Sequence, residues 1–144
     1  MIARDHARLV DALLPAVLEA GRVQMQHYAR GVEVQRKADQ SPVTEADRQS
    51  EAILVAALGR VAPGVAVIAE EAVSDGNLPA VGELFFLVDP LDGTREFIEG
   101  RGEFTVNIAL VEAGRPVFGI VYAPALAQFY ATRGPGQAIA SDLA

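Results

Sequence analysis

The sequence predicts an α+β fold with two N-terminal helices packed on a mainly antiparallel sheet. Three observations carry this. Apolar residues recur at three- and four-residue steps as far as residue 58. From residue 65 onward the apolar runs become short and strand-like. Several of the later runs are joined by short Gly-containing turns, as in hairpins. The 144 residues suit one domain with one core.

The first helix follows from Val10, Leu13, Leu14, Val17, Leu18, Met25 and Tyr28, which share one face. Pro15 must sit in a first turn or kink it, and Gly31 can end it. Ser41-Pro42 disfavours helix before the proline. Thr44 followed by Asp47 reads as a capping box and opens a second helix over residues 45–58. Its inward residues are Ile53, Leu54, Ala57 and Leu58.

Residues 65–68 then read as a strand with Glu70 and Glu71 directly after it, and residues 72–82 as loop. Residues 84–88 form a buried strand that ends at Asp89-Pro90, and residues 95–99 a short helix. Residues 104–111 and 116–122 pair around Ala113-Gly114, residues 128–132 add a strand, and Gly134-Pro135-Gly136 breaks the chain. Phe85, Phe86, Phe104, Phe118, Tyr122, Phe129 and Tyr130 read as strand packing.

A net charge of −7 argues against a nucleic-acid surface, so an anionic substrate needs a bound cation to attract it. With no cysteine there is no disulfide framework, thiolate zinc site or thiol nucleophile. No apolar run spans a bilayer, and the polar N-terminus lacks a signal-peptide pattern. The expectation is a cytoplasmic protein, with a peripheral place on the cytoplasmic face of the membrane as the alternative.

The chemistry lies in the carboxylates. Asp89 and Asp92 flank a Pro- and Gly-containing turn at a strand end, which holds side chains rigidly. Carboxylates this close repel one another unless a divalent cation sits between them, and oxygen ligands suit Mg²⁺, Mn²⁺ or Ca²⁺. Glu70 and Glu71 stand at a second strand end, and Asp47 opens a helix. Gly93-Thr94-Arg95 offers backbone N–H groups for a phosphate. Each feature alone is commonly a turn, a solvated edge or a helix cap; the combination is what points to a site. His6 and His27 are isolated and read as helix-face residues, and Arg101 as solvated surface.

Asp89-Pro90-Leu91-Asp92-Gly93-Thr94 resembles the first signature of the inositol monophosphatase superfamily. Lys37-x-Asp39-x-Ser41-Pro42-Val43-Thr44-x-Ala46-Asp47 is similar to its upstream motif, and Ile68-Ala69-Glu70-Glu71 to its metal-binding glutamate segment. Residues 93–98 and 102–110 look like the 3′(2′),5′-bisphosphate nucleotidases of the CysQ type, with Arg95 where a lysine is common. The resemblance implies the N-terminal half of an αβαβα fold.

It also implies roles. Glu70, Asp89 and the Leu91 carbonyl would ligate a first Mg²⁺ (or Mn²⁺), and Asp89 and Asp92 a second. Phosphate would lie over residues 91–94, so Glu70, Leu91, Asp92, Gly93 and Thr94 would meet the substrate. Asp47 and Thr94, with Glu70, would orient and activate the attacking water. Glu71 would assist from behind, and Lys37 and Ser41 would fix an upstream loop. The implied reaction is direct hydrolysis of adenosine 3′,5′-bisphosphate (PAP) to AMP, often also of its 5′-phosphosulfate relative, with lithium inhibition. The rivals are an inositol monophosphatase or histidinol-phosphate phosphatase of the same superfamily, and a non-catalytic metal-binding or dimerisation module.

The chain departs from the family in length. Members carry a second α/β domain with a Trp-Asp motif, and this chain has no tryptophan. Residues 1–144 therefore read as the metal- and phosphate-binding domain, weakly active or inactive alone, with an apolar exposed face that favours self-association.

Overall fold

The apolar stripe of the first thirty residues becomes one long helix, α1 (His6–Arg30), whose N-terminus is capped by the Asp5 side chain. In the computed structural model, residues 2–31, 34–36 and 42–143 are described, with the backbone alone for residues 34–36, 42 and 43. The buried stripe is rotated slightly from the expected one. Leu9, Leu13 and Val17 are fully buried, whereas Leu18 is 37% exposed. Pro15 stands inside the helix on its exposed side, so the intrahelical bond it forgoes faces water. Gly31, at φ 83°, ends the helix.

Two short antiparallel strands, β1 (Val34–Arg36) and β2 (Pro42–Thr44), lead into α2 (Glu45–Val61). The capping box is present: the Thr44 hydroxyl accepts from the Asp47 N–H, and the Asp47 side chain accepts from the Thr44 N–H. Helix α2 runs past the expected end at residue 58, and buries Leu54, Ala57 and Leu58; Ile53 is only half-buried.

The six-stranded sheet has the order β3-β4-β5-β6-β7-β8, comprising Ala66–Ala69, Leu84–Asp92, Thr105–Glu112, Arg115–Ala123, Gln128–Gly134 and Gln137–Asp142. It is mixed, because β3 and β4 are parallel and every later pair is antiparallel. A parallel pair needs a crossover. Here α3 (Glu70–Ser74) and the segment after it supply one. Part of the expected loop at residues 72–82 is thus helical. Ala113 and Gly114, both at positive φ, close the expected β5–β6 hairpin.

Gly134-Pro135-Gly136 does not end the sheet but turns the chain into β8. That edge strand escaped the sequence reading because its residues are nearly all exposed and show no apolar alternation. Of the aromatic residues read as packing, Phe86, Phe104, Phe118 and Phe129 are buried, and Tyr130 is exposed.

Both long helices lie on one face of the sheet. Phe86, Val88, Ile108, Leu110, Phe118 and Ile120 meet Leu9, Leu13, Val17, Leu54 and Leu58 in one core. Gly21 lets α1 approach β6, since a Cβ there would stand 2.4 Å from the Tyr122 ring. No described helix covers the other face. Leu87, Asn107, Ala109, Gly119 and Val121 line a broad concavity of about 690 Å³ there. Asp89 stands at its end.

Candidate active site

Strand β4 continues through the Asp-Pro-Leu-Asp sequence instead of stopping before it. Asp89 pairs with Asn107 and Asp92 with Thr105, so β4 carries one more residue than β5 over this stretch. The irregularity takes Pro90 and Leu91 out of regular pairing and bends the strand, a common device for re-aiming side chains at a site. Leu91 is buried with Ala46, Phe97 and Phe104. Phe97 stacks on Phe104 with centroids 4.9 Å apart, and Tyr28 lies edge-on to Phe97. The Tyr28 hydroxyl donates to the Gly100 carbonyl at 2.6 Å. This aromatic group supports the turn from below.

Gly93 then adopts φ 90°, and a Cβ there would stand 2.8 Å from the Glu103 carbonyl oxygen. Both facts require glycine. Thr94 opens α4 (Thr94–Ile98), the expected short helix, and is held close to Asp47. Its Oγ1 stands 3.1 Å from Asp47 Oδ1 and 3.2 Å from the Leu91 carbonyl, both acceptors. The other Asp47 oxygen accepts from the Thr44 N–H at 2.9 Å and the Thr44 hydroxyl at 2.6 Å. Asp47 is fully buried, so this carboxylate is fixed from both ends.

Glu70 and Glu71 open α3 and diverge. Glu70 is exposed and hydrogen-bonds with Asp89, whereas Glu71 is buried. Burial, then that hydrogen bond, then the charges of Glu70, Asp92 and Asp47 push the Asp89 carboxyl up to about 8. Three acids, on α3, β4 and α2, therefore bear on Asp89. Among the described residues, no three His, Asp or Glu side chains converge as a set that could hold a metal ion. The pair that does meet is Asp89 with Glu70, joined by a hydrogen bond. Asp89 Oδ1 is buried and finds no hydrogen-bond partner among the described residues. A buried carboxylate oxygen without a donor, beside further carboxylates, fits a hard divalent cation. Lys37 and Ser41 lie outside the described residues.

Three supporting residues were not foreseen. Glu51 accepts from the N–H groups of Glu71 at 2.7 Å and Ala72 at 3.0 Å. It thereby caps α3, whose own N-cap, Ala69, offers no side-chain bond. Gln24 and Ser50 are fully buried and hydrogen-bonded to each other. The signal was present: Gln24 falls on the buried stripe of α1 and Glu51 lies one turn after Asp47, polar residues at apolar spacing. Of the remaining candidates, His27 meets Gln49 and Arg101 pairs with Glu96 and Glu99 at the surface.

The model of the inositol monophosphatase family matches residues 5–142. The chain belongs to the inositol monophosphatase family. Within it, the chain is 46% identical over 129 residues to the 3′(2′),5′-bisphosphate nucleotidase CysQ of Salmonella typhimurium, covering 88% of this chain and 52% of that protein. The Escherichia coli K12 enzyme of the same name is 40% identical, with 85% and 50% covered. The crystal structure of CysQ from Bacteroides thetaiotaomicron has a TM-score of 0.72 at 35% identity, covering 94% of this chain and 49% of that one. An IMPase from Thermotoga maritima reaches 0.79 at 28% identity, covering 92% and 50%. The α+β arrangement of helices on a mixed sheet is thus the family's, and the chain spans about half the length of these relatives.

Proposed function

We propose that these 144 residues form the metal- and phosphate-binding domain of a Mg²⁺-dependent phosphomonoester hydrolase that removes the 3′-phosphate of PAP to give AMP. The single observation that carries this is the Thr94–Asp47 hydrogen bond of 3.1 Å, set beside the Asp89–Glu70 pair. The names of the CysQ relatives support a nucleotide bisphosphate over an inositol phosphate.

Glu70, Asp89, Asp92 and the Leu91 carbonyl are the groups that would hold Mg²⁺ or Mn²⁺. A bound ion supplies charge neutralisation at the phosphoryl oxygens and a stronger nucleophile at neutral pH. The residues themselves do the rest. The phosphate lies over residues 91–94. Thr94 Oγ1 donates to Asp47, which leaves its lone pairs to accept from the attacking water. Glu70 helps to orient that water and to take its proton. The new bond runs from water oxygen to phosphorus, the ester P–O bond breaks, and the leaving ribose oxygen takes a proton from solvent, which regains it from Glu70. Glu71 steadies Glu70 from the buried side of α3. The same site also accepts the 5′-phosphosulfate analogue of PAP, and lithium inhibits by competing for the cation position.

The chain spans about half the length of the CysQ relatives, so the full activity is proposed for the site as these residues frame it. The uncovered sheet face with exposed Leu87 and Val121 favours a second reading, a metal-binding module that assembles through that face. The test is phosphate release and calorimetric binding with Mg²⁺, comparing PAP with inositol 1-phosphate. Preferential binding of PAP in the presence of Mg²⁺, weakened in Asp89→Asn, supports the proposal. Binding of neither PAP nor Mg²⁺ would overturn it, and preference for inositol 1-phosphate would move the substrate to the rival class.

A further inference from the structure

The irregularity in β4 creates a problem that the carboxylates do not solve. Pro90 is buried, and the shift between Asp89 and Asp92 removes it from regular pairing with β5. Its carbonyl still needs a donor, since a buried unpaired backbone acceptor is costly. The donor comes from α1. Gln24, fully buried, places Nε2 2.6 Å from the Pro90 oxygen and 3.0 Å from Ser50 Oγ. Both protons of the amide are thereby used. Gln24 Oε1 is buried with no hydrogen-bond partner among the described residues. A polar side chain is thus retained in the interior although one of its atoms stays unsatisfied. That fits a specific demand at Pro90 better than general stability, because an apolar residue would leave no orphan on α1.

We infer that Gln24 is a positioning residue, which pins the Pro90–Leu91 peptide to α1 and α2 and so fixes the spacing of Asp89 and Asp92. The inference rests on the metal-site reading above for its functional consequence. Its reach follows from what is joined. Pro90 directly follows Asp89 and precedes the Leu91 carbonyl, the acceptor 3.2 Å from Thr94 Oγ1. Ser50 lies one turn after Asp47 on α2. One amide therefore links the strand that carries Asp89 to the helix that carries Asp47. Without it, the plane of the Pro90–Leu91 peptide is free to rotate, and the carboxylates on either side lose their common aim.

The test compares Gln24→Met, which keeps volume and removes both donors, with Ser50→Ala, which spares the Pro90 bond. Val17→Ala, a buried α1 site away from the turn, is the control for lost stability. Two readouts are taken on each: Mn²⁺ affinity by electron paramagnetic resonance, and metal-free amide exchange across residues 91–97 relative to residues 117–121. Gln24→Met should weaken Mn²⁺ binding at least tenfold and speed turn exchange at least tenfold relative to β6. Ser50→Ala should do less of each, and Val17→Ala should change Mn²⁺ affinity less than twofold. If Gln24→Met merely speeds all amides together, as Val17→Ala does, the inference is overturned. Absence of Mn²⁺ binding in the unmodified chain would refute the metal reading alone, and the exchange comparison would still decide the role of Gln24.

Discussion

Asp89 is held by two opposing demands. It is half-buried beside three other acids, and its carboxyl is pushed up to about 8, first by burial. The raised value fixes the sign of a pH effect. The stability Asp89 gives the metal-free chain is complete below the ordinary carboxylate range near 4. It is lost as pH rises through about 8, because the folded state must then hold a buried charge. Between pH 5 and 8.5 the metal-free chain should therefore lose about 4 °C in Tm, roughly 1 kcal/mol after discounting for solvent screening. Asp89→Asn should flatten that slope, and a thermal scan across the range checks it. A variant slope as steep as the parent's would place the effect on another group.

Thr44 sets the start of α2 and, through it, the aim of Asp47. Its hydroxyl is 2.6 Å from Asp47 Oδ2, and both residues are buried. Thr44→Ala removes an N-cap and a partner of a buried carboxylate, so about 2 kcal/mol of stability should disappear in urea unfolding, most of it recovered in Thr44→Ser. A loss under about 0.5 kcal/mol would mean that water replaces the hydroxyl. This cap was legible because Thr44 and Asp47 are three residues apart ahead of an apolar run. So were α1, β5 and β6, whose apolar residues recur at helix or strand spacing. The end of β4 was not, since Pro90 and Gly93 imitate a turn while the chain keeps strand geometry through Asp92. Helix α3 was hidden for a related reason: its cap, Glu51, comes from another helix and leaves no local mark. The carboxylates themselves were visible as residue types, yet the hydrogen bond that joins Asp89 to Glu70 depends on the parallel pairing of β3 with β4.

At the scale of the whole molecule, the described helices cover the sheet on one face only. Leu87 is 40% and Val121 39% exposed on the other, beside Asn107 and Ala109. Such an apolar face seeks a partner. For this chain on its own, the partner we propose is a second copy. Sedimentation velocity should show a species above monomer mass, and Leu87→Lys with Val121→Lys should restore the monomer by placing two charges on each face. A parent chain that sediments as a monomer at high concentration would remove the self-association reading. The central claim concerns the site at the end of that face. It is tested most directly by titrating Mg²⁺ into the chain at pH 7 in buffers of different ionisation enthalpy. The account predicts saturable binding accompanied by release of a proton from the Asp89–Glu70 pair, with both lost in Asp89→Asn. No binding at millimolar Mg²⁺, or equal binding by the variant, would contradict it.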